Sequence, residues 1–239
     1  CFGIHDKDGN YSVWAGTTMQ SIVENTKAPI VFHILHDDTL NEMNKNKLSL
    51  IADNSGNGIE FHHFNPDIFG SLADSMNRFT IGTMFRIMLP DIMPDLKKII
   101  YLDSDLFVNT DIEELWNLNI DDYCLAAAPD CSTIRNWGTP YAVAAGQTSR
   151  DRYFNAGVLC MNLDNIRKNG SLFQQVMDYL NDNPRTWLPD QDALNAIFSG
   201  KTLMVDEKWN YFIDEARKNN EKAEKKIYHY AATLLMLHT

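Results

Sequence analysis

Lys97 to Trp116 reads KKIIYLDSDLFVNTDIEELW, an apolar run that stops at two carboxylates two residues apart. Ile99-Ile100-Tyr101-Leu102 is short, β-rich and preceded by a basic pair, the pattern of a buried strand in a parallel sheet rather than of a helix. Strand side chains alternate faces, so Asp103 and Asp105 point the same way with Cα atoms ~6.5 Å apart. At ~5 Å and an effective dielectric of ~20, two carboxylates repel by roughly 3 kcal/mol, which calls for a cation between them. Hard divalent ions such as Mg²⁺ and Mn²⁺ take one or two carboxylates and fill their other positions with water and substrate phosphates. The pair therefore reads as half a metal site or as a pair of turn and capping residues, and local context leaves the two readings level. D-x-D recurs at Asp6-Lys7-Asp8 and Asp190-Gln191-Asp192, but only the Asp103 copy follows an apolar strand. Ligands of open α/β sheets collect at such strand ends. Asp111 stands where a cap for an Ile112 to Trp116 helix belongs.

Working outward, the 239 residues suffice for one α/β domain with a full core. An apolar content of 44% and a charged content of 22% are those of an ordinary globular chain. The net charge of -11 argues against a nucleic-acid partner, which needs clustered Lys and Arg. The basic stretch Lys218 to Lys226, KNNEKAEKK, is interleaved with Glu and reads as a solvated helix face. Cys1, Cys124, Cys131 and Cys160 lack metal-type spacing and read as free thiols in a reducing compartment, so the expected location is cytoplasmic. No run of ~18 apolar residues spans a bilayer and no signal peptide is recognisable. The start at Cys1, without methionine, reads as a segment excised from a longer chain.

The first half alternates β-α-β-α-β. CFGI is a strand, Val13, Ala15, Met19, Ile22 and Val23 recur at helical spacing, and APIVFHILHDD is a second strand. Leu40 to Ile51 is an amphipathic helix and GIEFHHF a third strand. A helix is expected around Met84 to Met93, before the strand that ends at Asp103. His33, His36, His62 and His63 lie in or beside these strands; the adjacent pair His62-His63 points to opposite faces and forms no metal site by itself, so satisfied structural histidines are expected. The G-x-G-x-x-G fingerprint, the P-loop and the G-x-S-x-G elbow are all absent, against nicotinamide, ATP-hydrolysis and acyl-hydrolase chemistry.

Three further segments carry candidate chemistry. RYFNAGVLCMNL, Arg152 to Leu163, sets Asn155-Ala156-Gly157 before an apolar strand, where small residues admit close backbone approach and Asn155 offers donors and acceptors. Its plainer reading is a turn. LPDQDALNAIFSG places Asp190, Gln191 and Asp192 at a helix start, where Asp190 could serve only as a cap, and KKIYHYAA places His229 after a strand-like run.

Together with DGNY, TMFRIMLPDIMPDLKKIIYLDSDLFV, DIEELW and KWNY, in this order over nearly the whole chain, these segments resemble glycosyltransferase family 8, the retaining GT-A enzymes. The resemblance implies a single GT-A domain over residues 1–239, with a Rossmann-like, mixed but mainly parallel sheet flanked by helices. It implies a UDP-sugar donor, usually a UDP-hexose, a glycan, glycolipid or glycoprotein acceptor, and Mn²⁺, with Mg²⁺ as the other candidate. A glycolipid acceptor would put the work at the inner face of a membrane. Asp103 and Asp105 match the metal-binding pair and His229 the third metal ligand. Asp6, Asp8, Asn10 and Tyr11 match the nucleotide loop, with the uracil contact open between Asp6 and Asp8. Arg86, Ser104, Ala156 and Gly157 match donor-contacting positions, and Asn155, Asp190 and Gln191 the surroundings of the reacting carbon. Gln191 is a poor nucleophile, which favours same-face attack over a covalent double displacement. The family's ending, H-x-x-G-x-x-K-P-W, is not kept: Ala232 and Leu235 stand in the Gly and Lys places. That departure supports the rival reading of a sugar-nucleotide-binding protein without transfer. A nucleotidyltransferase is the other rival, and the Gly-rich basic first loop it requires is missing.

Overall fold

A computed structural model describes residues 1–70, 81–130 and 138–231. Cys131, Ala232 and Leu235, and with the last two the altered ending, lie outside the described residues. The first half follows the expected alternation: β1 (Phe2–Ile4), α1 (Asn10–Asn25), β2 (Val31–His36), α2 (Glu42–Asn54) and β3 (Gly58–His63). Each helix start has a local cause. Gly9 turns into α1 at φ 75°, and Asp6 Oδ1 accepts from the Ser12 N–H at 3.1 Å. The Asn41 side chain accepts from the Asn44 N–H at 2.9 Å to start α2.

The helix expected around Met84 to Met93 is instead a 3-10 stretch, Ile81–Met88, followed by one short turn, α3 (Leu89–Ile92). Pro90 has no N–H to donate and fits only a first turn, so the chain restarts there. Then come β4 (Lys98–Leu102), β5 (Leu106–Val108), α4 (Glu113–Trp116), β6 (Leu125–Pro129), α5 (Tyr141–Ala144) and β7 (Phe154–Asn162). The chain continues through α6 (Leu163–Lys168), α7 (Leu172–Asp182), α8 (Pro189–Ile197), β8 (Thr202–Met204), β9 (Tyr211–Phe212), α9 (Ile213–Lys218) and β10 (Ile227–His229). Asp111 is not the cap expected of it: the cap position of α4 is Ile112, and Asp111 Oδ1, one residue earlier, accepts from the Glu113 N–H at 2.9 Å.

Strands run β1-β2-β3 in one sheet and β4-β7-β6-β8 in another. Residue 1 joins them: its nitrogen donates to the Ile100 carbonyl at 2.7 Å, and the Leu102 N–H donates to its carbonyl at 2.9 Å, the pattern of a parallel bridge opposite Tyr101. A small third sheet, β5-β10-β9, stands beyond the end of β4. Four of the seven ladders among the described residues are parallel. Two large apolar clusters fill the core, one around Phe85, Tyr101, Leu159 and Leu194, the other around Ile4, Met19, Ile34 and Leu102. Cys1, Cys124 and Cys160 are free thiols, and burial pushes Cys160 up to about 11.

β5 follows directly on the second aspartate and, among the described residues, has one strand neighbour, β10. α1 completes its other edge with side chains at helical spacing. Thr18 Oγ1 lies 2.7 Å from the Ser104 and Leu106 carbonyls and 3.3 Å from the Leu106 nitrogen. Ser21 Oγ accepts from the Val108 N–H at 3.0 Å, and Asn25 Nδ2 donates to the Val108 carbonyl at 3.0 Å. The Asp103-Ser104-Asp105 bend is thereby fixed between two sheets, not at a strand-to-helix turn.

Candidate active site

β10 lies antiparallel to β5 with His229 opposite Leu106, which brings the imidazole to the aspartate bend. His229 Nε2 is 3.3 Å from Asp105 Oδ1 and 3.9 Å from Asp103 Oδ2, and the three ligand atoms fall within 4.8 Å of one another. His229 Nδ1 lies 2.8 Å from Asn210 Oδ1, and the ring stacks on Phe212 at 5.4 Å. With Nδ1–H donating to Asn210, Nε2 is the nitrogen that faces the carboxylates.

Gly157 of β7 forms the floor. A Cβ there would meet His229 Cε1 first, Asp103 Oδ2 at 2.8 Å and Asn155 Oδ1 at 3.0 Å, so the ligand atoms close over bare backbone. The Asp103 N–H donates to the Gly157 carbonyl at 2.8 Å, and the Gly157 N–H to Asn155 Oδ1 at 2.9 Å. Asn210 Nδ2 donates to the same Asn155 oxygen at 2.7 Å, tying imidazole, Asn210 and Asn155 into one chain. Beyond it, the buried Asp130 accepts from Asn155 Nδ2 at 3.2 Å and from Gln191 Nε2 at 2.8 Å.

The cation that the sequence asks for is partly supplied by the protein. Arg86 is buried behind Asp103, with Nη2 2.8 Å from Asp103 Oδ1, Nε 3.2 Å from Asp190 Oδ2, and Nη1 bonded to the Ala156 carbonyl. Burial opposes the guanidinium charge, but Asp103 and its neighbours outweigh it and hold the group firmly protonated. Burial raises Asp190, and the Arg86 charge offsets only part of that. Burial would also neutralise Asp105 and His229. Their mutual attraction wins, so Asp105 sits below the usual carboxylate range and His229 above the usual imidazole range.

Two carboxylates and one imidazole, with Nε2 turned inward, form a donor set that fits a hard or borderline divalent ion. Ser104 Oγ, between the two aspartates, is buried without a hydrogen-bond partner among the described residues. The Asp103, Asp105, Ser104, His229, Arg86, Asn155, Ala156, Gly157, Asp190 and Gln191 side chains and backbone thus form one connected site. Asp190 is not a helix cap: the cap position of α8 is Leu188, and Asp190 points at Arg86. Gln191 Oε1 accepts from the Ala156 N–H at 3.0 Å, and four residues on, Asn195 bonds both backbone groups of Phe154 at 2.8 and 2.9 Å, so α8 docks on β7 through amide side chains.

The nucleotide-loop residues sit apart, at the β1–α1 junction. Asp6 is buried with Oδ1 held by Ser12 and Oδ2 accepting from Asn44 Nδ2 at 3.0 Å, whereas Asp8 is exposed. Asn10 opens α1, and Tyr11 packs on Trp14 with ring centroids 5.0 Å apart. Sequence reasoning did not single out Asp130 or Asn210. Asp130 repeats the Asp103 signal, an apolar strand (LAAAP) ending in aspartate, and Asn210 lies within KWNY.

This fold is that of the GT-A glycosyltransferases. The galactosyltransferase LgtC, solved with donor and acceptor sugar analogs, superposes with a TM-score of 0.81 at 23% identity over 93% of this chain and 84% of that one. Mouse xyloside xylosyltransferase 1 superposes with a TM-score of 0.64 at 18% identity, over 97% and 96% of the two chains. The Glycosyl transferase family 8 model matches residues 5–234, and the chain belongs to that family. A putative glycosyltransferase of Haemophilus influenzae is 30% identical over 87% of this chain, which spans 62% of that relative's length. The lipopolysaccharide 1,3-galactosyltransferase of Salmonella typhimurium is 25% identical over 93% of this chain and 68% of its own.

Proposed function

We propose that the chain is a metal-dependent retaining hexosyltransferase that moves a hexose from a UDP-sugar to a glycan or glycoconjugate. The observation that carries this reading is the closure of Asp103, Asp105 and His229 over the bare backbone of Gly157. These three residues would hold the divalent ion, Mn²⁺ in this reading, which when bound stabilises charge on the departing diphosphate as a Lewis acid. Asn210 fixes the His229 tautomer that such binding needs, and Arg86 holds Asp103 in place from behind.

Asp8 is the free carboxylate of the first loop and is assigned to the uracil, since both Asp6 oxygens are engaged within the protein. Asn10, Tyr11 and Ser104 are assigned to the nucleotide half of the donor, and Ala156 and Gly157 to the sugar half. Gln191 is an amide committed at both ends, to Ala156 and Asp130, which supports same-face attack over a covalent intermediate on that side chain. Asn155 and Asp190 then orient hydroxyl groups around the reacting carbon.

Relatives named for lipopolysaccharide 1,3-galactosyl and 1,2-glucosyl transfer support a lipid-linked glycan acceptor, reached from the cytoplasmic face of a membrane. Incubation with Mn²⁺ and a panel of UDP- and GDP-sugars, reading nucleotide release, tests the assignment. Release from a UDP-hexose that chelation stops is the expected result. Donor binding without any turnover, across acceptors of all three kinds, would make the chain a binding protein.

A further inference from the structure

The histidines of β2 and β3 divide between the two faces of their sheet. Parallel pairing sets His33 opposite Glu60 and Leu35 opposite His62, so His33, Glu60 and His62 share one face. Phe32, Ile34, Ile59 and Phe61 point the other way, into the core beneath α1 and α2. His36 and His63 also lie on that side and are engaged there, His36 Nδ1 with the Asp37 carbonyl at 2.9 Å and His63 Nε2 with Asp38 at 2.8 Å. The expectation that all four are satisfied structural histidines therefore holds for His36 and His63. His33 and His62 are satisfied too, but by each other and by Glu60 on the opposite face.

His33 Nδ1 is 3.1 Å from His62 Nε2 and 3.3 Å from Glu60 Oε2, and His62 Nε2 is 3.7 Å from the same oxygen. The circle through these three atoms has a radius of about 2.0 Å, matching the ~2.0 to 2.2 Å bonds of Zn²⁺ to imidazole nitrogen and carboxylate oxygen. We propose that His33, Glu60 and His62 form a second metal site, taking a borderline transition dication of the Zn²⁺ class.

Ligand chemistry separates it from the aspartate site. Two imidazoles and one carboxylate favour Zn²⁺, Ni²⁺ or Cu²⁺, whereas two carboxylates and one imidazole remain hospitable to Mg²⁺ and Mn²⁺. The two imidazoles are only partly exposed, while the Glu60 side chain is 59% exposed, so an ion has an open approach and room for a water as fourth ligand. A hydrogen bond between the two rings is the ion-free arrangement, and it places the same nitrogens where a metal needs them. β3 is the last strand of its sheet, and the ion would pin it to β2.

Calorimetry with Zn²⁺ alone and the absorption of bound Co²⁺ test the proposal, using Asp105→Asn as background to silence the aspartate site. One Zn²⁺ per chain, a rise in melting temperature on adding it, and the intense visible bands of tetrahedral Co²⁺ are expected. His62→Gln on that background is expected to weaken Zn²⁺ by ~100-fold or more, beyond the ~10- to 100-fold cost of losing an outer-shell partner. His62→Gln alone is expected to leave Mn²⁺-dependent UDP binding unchanged. Glu60→Gln, at an exposed position, gives the same readout should the histidine variant misfold. Zn²⁺ affinity changing less than threefold in His62→Gln and Glu60→Gln would overturn the site, as would the absence of Zn²⁺ binding to Asp105→Asn.

Discussion

Gly157→Ala isolates the geometry of the aspartate site from its chemistry, because it removes no ligand and no hydrogen bond. Gly157 is not among the positive-φ residues, so alanine brings no backbone strain of its own. Its methyl group would stand 2.8 Å from Asp103 Oδ2, where ordinary contact begins at about 3.4 Å, and closer still to His229 Cε1. Neither neighbour is a loose end: Asp103 is held by Arg86 at 2.8 Å and Tyr101 at 3.1 Å, and His229 by Asn210 at 2.8 Å. The ligands must therefore part by about 0.6 Å or more, beyond the ~0.5 Å tolerance of a working constellation. Misplacements approaching ~1 Å cost on the order of 100-fold, so Mn²⁺-supported turnover is expected to fall ~10- to 100-fold. Overpacking is expected to lower stability by ~1 to 3 kcal/mol, leaving a folded protein. Calorimetric Mn²⁺ titration, nucleotide release and far-ultraviolet circular dichroism read the three quantities. A folded Gly157→Ala protein with Mn²⁺ affinity and turnover within twofold of the parent would refute the claim that ligand atoms close over this backbone.

Asp105→Ala is expected to cut transfer at least ~100-fold, the scale of losing a principal charge contact, and undiminished transfer in chelator would contradict the metal assignment. UDP is expected to raise the melting temperature only with Mn²⁺ present; an equal shift in chelator would mean that Asp103 and Asp105 do not link metal to diphosphate. In the metal-free protein the raised His229 contributes stability in full below the ordinary imidazole range, ~6.5, and loses it as pH climbs through its raised value. Melting temperature without metal should accordingly decline over that interval, and saturating Mn²⁺, which replaces the proton, should flatten the decline; a flat metal-free profile would count against the His229 charge. Asn210→Ala removes the acceptor that fixes the His229 tautomer and is expected to weaken Mn²⁺ ~10- to 100-fold while the protein stays folded, with parental affinity as the contrary result.

The first three strands and two helices are legible from periodicity because apolar residues there alternate at strand and helix spacing between polar turns. Leu40 to Ile51 shifts to Glu42–Asn54 because Asn41 supplies the cap. The stretch from Met84 to Met93 misleads, since its apolar residues suit a helix while Pro90 interrupts the ladder and Arg86 is turned toward Asp103 and Asp190. The alternation rule placed both carboxylates of the bend on one side, but it gave no sign that the chain leaves one sheet for another between them. Asp130 and Asn210 stayed hidden for a further reason. Their roles depend on the registers that bring Asn155, Gln191 and His229 alongside them, and register is a property of paired strands.

The insertion of β10 between β5 and β9 has a consequence for how the molecule comes to be built. Two of the three candidate metal donors, Asp103 and Asp105, lie more than a hundred residues before the third, His229, so the donor set is complete only once β10 has paired with β5. Closing a loop of about 120 residues costs roughly 4 kcal/mol of chain entropy, and a lone Asp-Ser-Asp segment offers an ion little to offset it. Metal is thus unsuited to template folding here. Capture of an ion by all three donors would therefore report that β10 has docked on β5.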